Sequence, residues 1–245
     1  MPSRQSVKWF LLINGIILPC ATAQHYVPVL FLLKNLALLH LVKHFTEGKP
    51  FLQDGPRATE SPVYLIQSTV IDAVMYTGIK HWLTIPTTSI SSELAWFIPI
   101  SFVFELLFDF FHYWTHRACH TSKWLYRNVH AVHHSTQNLH AAAAFKHHSL
   151  DLVLTNVVPL IATAWILPVP AYTFTVILWY KNLQEIGGHS GKAVKGSSFT
   201  QCKWLPELFG IALHSRNHNE HHRNPAVNFS KRFSLWDRMF GTFCG

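Results

Sequence analysis

The sequence predicts an all-α integral membrane protein, a helical bundle of about two helical hairpins with a helical cap on its cytosolic side. The first observation is composition. Hydrophobic residues make up 49% of the chain and charged residues only 13%, whereas soluble domains average about 25% charged residues. The second is a series of apolar segments close to the length of about 20 helical residues that crosses a ~30 Å hydrocarbon core. The third is a set of histidines at helical spacing that starts where the fourth apolar segment ends.

Five apolar segments follow one another along the chain, and each is expected to be helical. They are Trp9 to Ala23, Tyr26 to Val42, Val63 to Ile79, Leu94 to Phe111 and Leu152 to Tyr180. Lys34 interrupts the second segment and Asp72 the third, so a soluble helical core remains the alternative to a membrane bundle. The fifth segment contains Pro159, Pro168 and Pro170. Because proline breaks helices, we expect two short helices there, forming a hairpin that need not cross the bilayer fully.

The N-terminus resembles a secretory signal, with Arg4 and Lys8 before an apolar run and small residues at 21–23. Another apolar segment follows almost directly, so an uncleaved first helix is favoured over a cleaved signal. Both alternatives send the chain to the secretory membrane system. The segment from Thr46 to Pro62 is rich in Gly, Pro and polar residues and is expected to be a loop between two membrane hairpins. Residues 1–93 are therefore predicted to form N-terminal hairpins and a loop, and residues 94–245 a second unit that carries the histidines.

Basic residues are concentrated around those histidines in a chain of net charge +8. Four of them and no acid lie between His112 and Leu150, and nine with four acids follow from Lys181 onward. Since basic segments stay cytoplasmic, the histidines are predicted to face the cytosol. The sequence contains no basic run interleaved with aromatic residues, which is the pattern that would favour a nucleic-acid partner. The four cysteines form no CxxC pair, so neither a disulfide framework nor a zinc knuckle is indicated.

Eight histidines fall in three clusters at helical spacing. The clusters are HYWTH with His112 and His116, HAVHH with His130, His133 and His134, and HNEHH with His218, His221 and His222. Positions i, i+3 and i+4 share one face of a helix, so each cluster is predicted to aim its rings at a single point. Imidazole binds Zn, Cu, Fe and Ni, and the lack of nearby thiolates argues against a structural zinc site. Eight imidazoles exceed the three protein ligands of a catalytic zinc site, so the sequence predicts a histidine-rich dimetal centre in the cap.

Two acids precede the first cluster on the same helical face. Glu105, Asp109, His112 and His116 follow one another at spacings of 4, 3 and 4 residues. A histidine that binds a metal usually donates its other ring N–H to a carboxylate or carbonyl. Asp109 is therefore predicted to be such a partner or a ligand. The alternative is that both acids bind the ends of neighbouring helices.

These motifs resemble the fatty acid hydroxylase and sterol desaturase superfamily. The likeness rests on HYWTH followed by Arg117, on HAVHH, on HNEHH and on the WDRMFGT segment at residues 236–242. It covers about residues 94 to 245, which it implies to be the catalytic domain. Members are integral membrane proteins of the endoplasmic reticulum whose histidines hold two iron ions. They use O₂ and electrons from NAD(P)H, commonly delivered by cytochrome b5, to hydroxylate or desaturate a lipid. The apolar N-terminal region shows no cytochrome b5 domain, so a separate electron donor is expected.

The resemblance implies roles for further residues. Glu185 and His189 in EIGGHSG are similar to a motif between the second and third boxes, where sterol-type members have ExxxH. It implies His189 as a ninth ligand and Glu185 as a hydrogen-bond acceptor around the metals. His120 follows the first box as in the family's HRxxH, as a ligand or a neighbour of one. His148 and Asp151 are similar to an HPxE segment in which Ser149 replaces proline and Asp replaces Glu, and this departure leaves their role open.

The function that the resemblance implies is O₂-dependent hydroxylation or desaturation of a lipid, with a sterol or sterol-like substrate favoured by the ExxxH variant. A fatty acyl, sphingoid or alkyl-chain hydroxylase is the alternative within the same class. A histidine-rich metal transporter is the alternative from another class. It is disfavoured because the clusters lie outside the apolar segments and no pair of spans repeats them.

Overall fold

The computed structural model describes residues 7, 8, 10–15, 17, 28–87, 89–194 and 198–245, and these fold into helices joined by loops. The helices are α1 Pro28–Thr46, α2 Pro62–Trp82, α3 Ile90–Thr121, α4 Lys123–Leu125, a π-helix Tyr126–His130, α5 Ala131–His134, a 3₁₀ helix Ala141–Phe145, α6 Ser149–Leu152, a second π-helix Val153–Val157, α7 Val158–Ile166, α8 Ala171–Gly188, α9 Trp204–Leu208, α10 Ser215–Arg223 and α11 Leu235–Met239. The prediction of an all-α fold is confirmed. The expected signal cleavage site at residues 21–23 lies outside the described residues.

Three helical stretches are long and apolar enough to cross a membrane. They are Val29–Thr46, Ile90–Thr121 and Ser149–Ile166. The third predicted segment forms α2 but does not belong to this set. Three of the predicted apolar segments, the second, fourth and fifth, therefore contain helices that are long and apolar enough for a membrane bundle.

The long helices pack into one bundle. Helix α1 lies against α2 and α8, and α3 lies against α7 and α8. Aromatic side chains such as Phe104, Phe174 and Tyr180 are fully buried between them. The acid that interrupts the third apolar segment is paired inside the bundle, because Asp72 accepts a hydrogen bond of 3.0 Å from the Asn182 amide. Polar interruptions of the apolar segments therefore join helices to each other.

The two ends of the bundle differ. At one end the turn after α2 meets the turn between α7 and α8, where the Ala171 amide donates to the Ile85 carbonyl. At the other end the loop after α1 folds over the cap, and the Leu52 amide donates to the Gly191 carbonyl. Gly191 has a φ of +65°, and a Cβ there would lie 2.0 Å from the Leu139 carbonyl oxygen. Only glycine fits at this close approach, which fixes the chain just after His189.

The fifth apolar segment breaks at Pro168 and Pro170, as predicted, but not at Pro159, and its two arms are longer than expected. Helical structure runs continuously through α6, the second π-helix and α7, and resumes in α8, which extends to Gly188. Pro159 is accommodated because the wider π-turn lies directly before it, with the Val158 amide bonded to the Val153 carbonyl. The first arm is long and apolar enough to cross a membrane, and the expectation of a hairpin that need not cross the bilayer fully stays a prediction.

Candidate metal centre

Nine histidines form two groups at the cap end of the bundle. The first group contains His116, His120, His130, His134 and His221, and the second contains His133, His189, His218 and His222. Within each group, one ring nitrogen of every histidine lies within 4.8 Å of those of the others. The two groups adjoin, because the His134 and His222 rings stack with centroids 4.6 Å apart. The cap thus presents two neighbouring clusters of imidazole nitrogens.

Each HxxHH motif divides its histidines between the two groups, so the expectation that a cluster aims at one point was wrong. His130 and His134 belong to the first group, whereas His133 belongs to the second. Adjacent residues of a helix point about 100° apart, since a turn takes 3.6 residues, and His133 and His134 therefore diverge. The third motif divides in the same manner, with His218 and His222 in the second group and His221 in the first.

Outer hydrogen bonds fix the tautomers of the rings. The Nδ1 atom of His116 lies 2.8 Å from the Phe229 carbonyl and that of His221 lies 2.7 Å from the Val227 carbonyl. In the second group, Nδ1 of His189 lies 2.8 Å from the Glu185 carbonyl. A carbonyl oxygen only accepts, so these Nδ1 atoms carry the proton and each Nε2 atom presents a lone pair. The arrangement is that of metal-binding histidines, whose outer N–H is held by a carbonyl or carboxylate.

The ring nitrogens that point into the two histidine groups are arranged like metal ligands. Buried ring nitrogens of His134, His221 and His222 have no hydrogen-bond partner in the described part of the chain. The Nε2 atoms of His133 and His189 lie 3.3 Å apart, although both rings donate from Nδ1 to a carbonyl. Two lone pairs at this distance repel each other, whereas two ligands about 2.1 Å from one ion lie roughly 3 Å apart. The donor set therefore fits two transition-metal ions.

Burial favours the neutral form of four histidines in the two groups, His189, His218, His221 and His222. It lowers the pKa of His189 to about 4 and that of His221 to about 3. The pKa values of His218 and His222 fall well below the ordinary value because of burial, and then because of neighbouring imidazoles. Neutral imidazole is the form that binds metals, so these rings are ready to bind at neutral pH.

The structure places two residues of α3 differently from the predicted ligand set. His112 lies outside both groups; its Nδ1 donates to the Thr155 carbonyl at 2.6 Å and its ring stacks on Phe108. His120 lies inside the first group, with its Nε2 atom 2.9 Å from that of His130. The other eight predicted ligands are brought together.

Asp109 binds backbone rather than a histidine ring. One carboxylate oxygen accepts from the amides of Lys231 and Arg232 at 2.7 and 3.0 Å, and the other accepts from the Phe233 amide at 2.9 Å. The carboxylate therefore holds the segment just before α11, near a helix end as in the alternative prediction for this acid. Glu105 instead pairs with the buried side chains of Arg232 and Gln201 and does not bind a helix end through them.

Glu185 supports His189 with its backbone, while its carboxylate binds Lys231. The distance from Glu185 Oε2 to Lys231 Nζ is 2.6 Å, and that from Oε1 to His189 Nδ1 is 3.9 Å. Burial alone would raise the pKa of Glu185, but the nearby Lys231 and Lys181 ammonium groups hold it well below its ordinary value. The carboxylate is therefore charged beside the second group.

In the HHSLD segment the residues that face the centre are Asp151 and His147, not His148. Asp151 is fully buried and His147 nearly so, and Asp151 accepts hydrogen bonds from Nδ1 of His130 and of His147. His148 is exposed, and its ring accepts from the Leu150 amide at the start of α6. His147 was not predicted, since sequence alone does not show which of two adjacent histidines points inward.

A helical bundle with three membrane-capable helices and two histidine groups at one end is the architecture of a membrane protein with a candidate metal centre. The sequence profile described as fatty acid hydroxylase matches residues 101–242, a stretch that contains both groups. The chain belongs to this family. No solved structure matches the chain.

Relatives within the family differ in the substrates that their names give. A fatty acid hydroxylase of a Lecanicillium species is 33% identical over 60% of this chain and 42% of its own length. A very-long-chain aldehyde decarbonylase of rice, Oryza sativa subsp. indica, is 29% identical over 69% of this chain and 59% of the relative. A methylsterol monooxygenase of Aspergillus fumigatus is 33% identical over 58% of this chain and 46% of the relative. The chain thus spans about half the length of the curated relatives that it matches.

Proposed function

We propose that this chain is a membrane-bound, O₂-dependent di-iron oxidoreductase that hydroxylates or desaturates a lipid. The observation that carries the proposal is the pair of adjoining histidine groups, whose inward nitrogens include buried atoms without a hydrogen-bond partner. Membership of the fatty acid hydroxylase family supports the reaction class. Bound iron would supply the O₂-dependent oxidation of an unactivated C–H bond, which redox-inert zinc does not support.

The residues of each group have defined roles in this proposal. His116, His120, His130, His134 and His221 hold one ion, and His133, His189, His218 and His222 hold the other. The carbonyls behind the rings fix the ligand tautomers. His112 is proposed to brace α3 against the second π-helix through Thr155 instead of binding a metal.

A cavity beside the second group supports a lipid substrate. It has a volume of about 150 Å³ and is lined by His189 and His218 at one side and by Val42 and Phe45 at the end of α1. A cavity of about this volume takes up a group of the size of benzene. It therefore accommodates only the reacting part of a lipid, while α1 provides an apolar wall for the part that follows.

A sterol or sterol-like substrate is the proposed lipid, because Glu185 and His189 match the ExxxH variant of sterol-type members. The named relatives include a sterol enzyme and two enzymes named for fatty acids or aldehydes. A fatty acyl, sphingoid or alkyl-chain substrate is therefore the second candidate. Electrons are proposed to come from NAD(P)H through a separate donor such as cytochrome b5.

Lipid profiling tests the function. The chain is expressed in a host that lacks sterol and sphingolipid modifying activities, and its lipids are analysed by mass spectrometry. We expect a new sterol-derived species that has gained one oxygen atom or lost two hydrogen atoms. A modified acyl or sphingoid lipid would favour the second candidate instead. A lipid profile identical to that of the empty host would contradict the proposed function.

The proposed location is the endoplasmic reticulum membrane, with the metal centre facing the cytosol. The glycosylation acceptor Asn228-Phe229-Ser230 is expected to remain unmodified. Asn228 is only 1% exposed, and its side chain donates to the Asn217 and Cys244 carbonyls. Burial would protect this residue on either side of the membrane, so it does not report the orientation.

Cysteines placed at the two ends of the bundle report the orientation directly. Asp54 is exposed in the loop that covers the cap, and Pro86 is exposed at the opposite end. In sealed microsomes, an impermeant thiol reagent is expected to label Asp54→Cys above the level of the parent protein. Pro86→Cys should react only after detergent opens the vesicles. The reverse pattern would place the metal centre in the lumen.

A further inference from the structure

Asp151 uses both oxygens of its buried carboxylate on two different histidines. Oδ1 lies 2.7 Å from Nδ1 of His130, a member of the first group, and Oδ2 lies 2.8 Å from Nδ1 of His147. An ionised carboxylate only accepts hydrogen bonds, so both Nδ1 atoms carry the proton. The contact thereby fixes the orientation of His130 and directs its Nε2 lone pair into the first group.

His147 extends this contact to the second group. Its ring lies parallel to that of His133, with an interplanar angle of 11° and centroids 4.2 Å apart. His147 is held from the other side, because the Gln67 amide donates to its backbone carbonyl at 2.9 Å. His133 also donates from Nδ1 to the carbonyl of Lys146, the residue directly before His147. One short segment therefore supports a histidine of each group.

The two groups differ in their contact with negative charge. In the second group, the Glu185 carboxylate is 3.9 Å from Nδ1 of His189 and is paired with Lys231 at 2.6 Å. In the first group, Asp151 bonds His130 directly at 2.7 Å. A carboxylate that accepts the outer N–H of a ligand histidine raises the basicity of that ligand.

We infer that Asp151 is a positioning residue for both metals, holding His130 directly and His133 through His147, and that its charge acts mainly on the ion of the first group. The inference rests on the proposed function, because it takes the two groups as metal sites. The backbone of Asp151 is held as well, since the Thr155 hydroxyl in the second π-helix donates to the Asp151 carbonyl at 2.8 Å.

Metal affinity provides a test that does not depend on the lipid. The full chain in detergent is loaded with Co²⁺, and a chelator removes the ions in competition. His221→Ala lacks a ligand of the first group and His218→Ala lacks a ligand of the second. These two variants identify which step of the chelator titration reports the ion of which group. In Asp151→Asn the side-chain amide has only one acceptor oxygen. Its NH₂ group must therefore face the Nδ1–H of either His130 or His147, and that hydrogen bond is lost. We expect the first-group ion to lose about 10 to 100-fold in affinity and the second-group ion to lose less.

Two further variants complete the test. His147→Ala removes the ring that stacks on His133, and it is expected to weaken the second-group ion more than the first. Asp151→Glu retains a carboxylate and should lose less affinity than Asp151→Asn. If the Asn variant does not fold, His147→Ala and Asp151→Glu still decide the question.

Unchanged affinity of both ions in Asp151→Asn, or an unaffected second-group ion in His147→Ala, would overturn the inference while the parent protein still binds two ions. Equal losses at the two groups in Asp151→Asn, or equal losses in Asp151→Glu and Asp151→Asn, would overturn it as well. A parent protein that binds no Co²⁺ would instead overturn the proposed function and this inference with it.

Discussion

Replacing His221 by alanine is expected to lower the amount of lipid product by more than about 100-fold. Loss of only the hydrogen-bond partner behind a metal ligand already costs about 10 to 100-fold in metal affinity or activity. His221 is fully buried, and its Nδ1 atom donates to the Val227 carbonyl. Its Nε2 atom faces the first group and has no hydrogen-bond partner in the described part of the chain. Alanine removes this proposed ligand without changing the long apolar helices of the bundle. The product is measured by mass spectrometry and normalised to the amount of protein in the membrane fraction.

His148→Ala is the matched control for this experiment. His148 is exposed and lies outside both groups, so the variant should retain nearly the product level of the parent. The comparison separates a metal ligand from a surface histidine of the same chemical type. Undiminished product in His221→Ala, or an equal loss in His148→Ala, would contradict the assignment of the first group.

The second large effect is expected on stability, in Asp109→Ala. The carboxylate accepts three backbone N–H bonds from residues 231–233, and Arg232 and Phe233 among them are buried. Each buried donor left without a partner costs about 1 to 3 kcal/mol. With two such buried donors, we therefore expect a loss of at least about 2 kcal/mol in the free energy of unfolding, followed as a lower thermal unfolding midpoint of the metal-free protein in detergent.

Asp54→Ala serves as the control, because Asp54 is exposed in the loop over the cap and surface substitutions usually change stability by less than about 0.5 kcal/mol. An Asp109→Ala protein that unfolds at the same temperature as the parent but no longer binds metal would contradict the structural role. It would return Asp109 to the role of a partner of a ligand histidine.

The sequence was sufficient to predict the long helices and most of the histidines that the structure brings together. Apolar segments and histidines at helical spacing depend only on local periodicity, which is why α3 and its buried face from Glu105 to His116 were anticipated. The choice between His112 and His120 was not accessible in this way. Both lie four residues from His116 and satisfy the same spacing, and only the depth at which α3 enters the cap brings His120 to the first group.

Tertiary contacts decided the remaining differences. Asp109 had a suitable position for a histidine partner, but the segment at residues 231–233, more than a hundred residues later, occupies both of its oxygens. Asp151 and His147 became visible as supports of the centre because the chain before α6 turns His147 inward and leaves His148 exposed. Helix geometry explains why adjacent histidines of each HxxHH motif point in different directions. Which histidine joins which group depends on how the two motif helices pack against each other, and this is not encoded in local spacing.

Whether the two histidine groups hold two iron ions is tested by the iron content of the purified chain, reconstituted with Fe²⁺ without oxygen, beside that of His221→Ala and His218→Ala. With one ion for each of the two histidine groups, we expect two irons per chain in the parent and a reduced content in each variant. Zinc is to be measured in parallel because it competes well for imidazole sites. A parent protein that binds no iron, or variants that retain the full content of the parent, would contradict a di-iron centre built from these histidines.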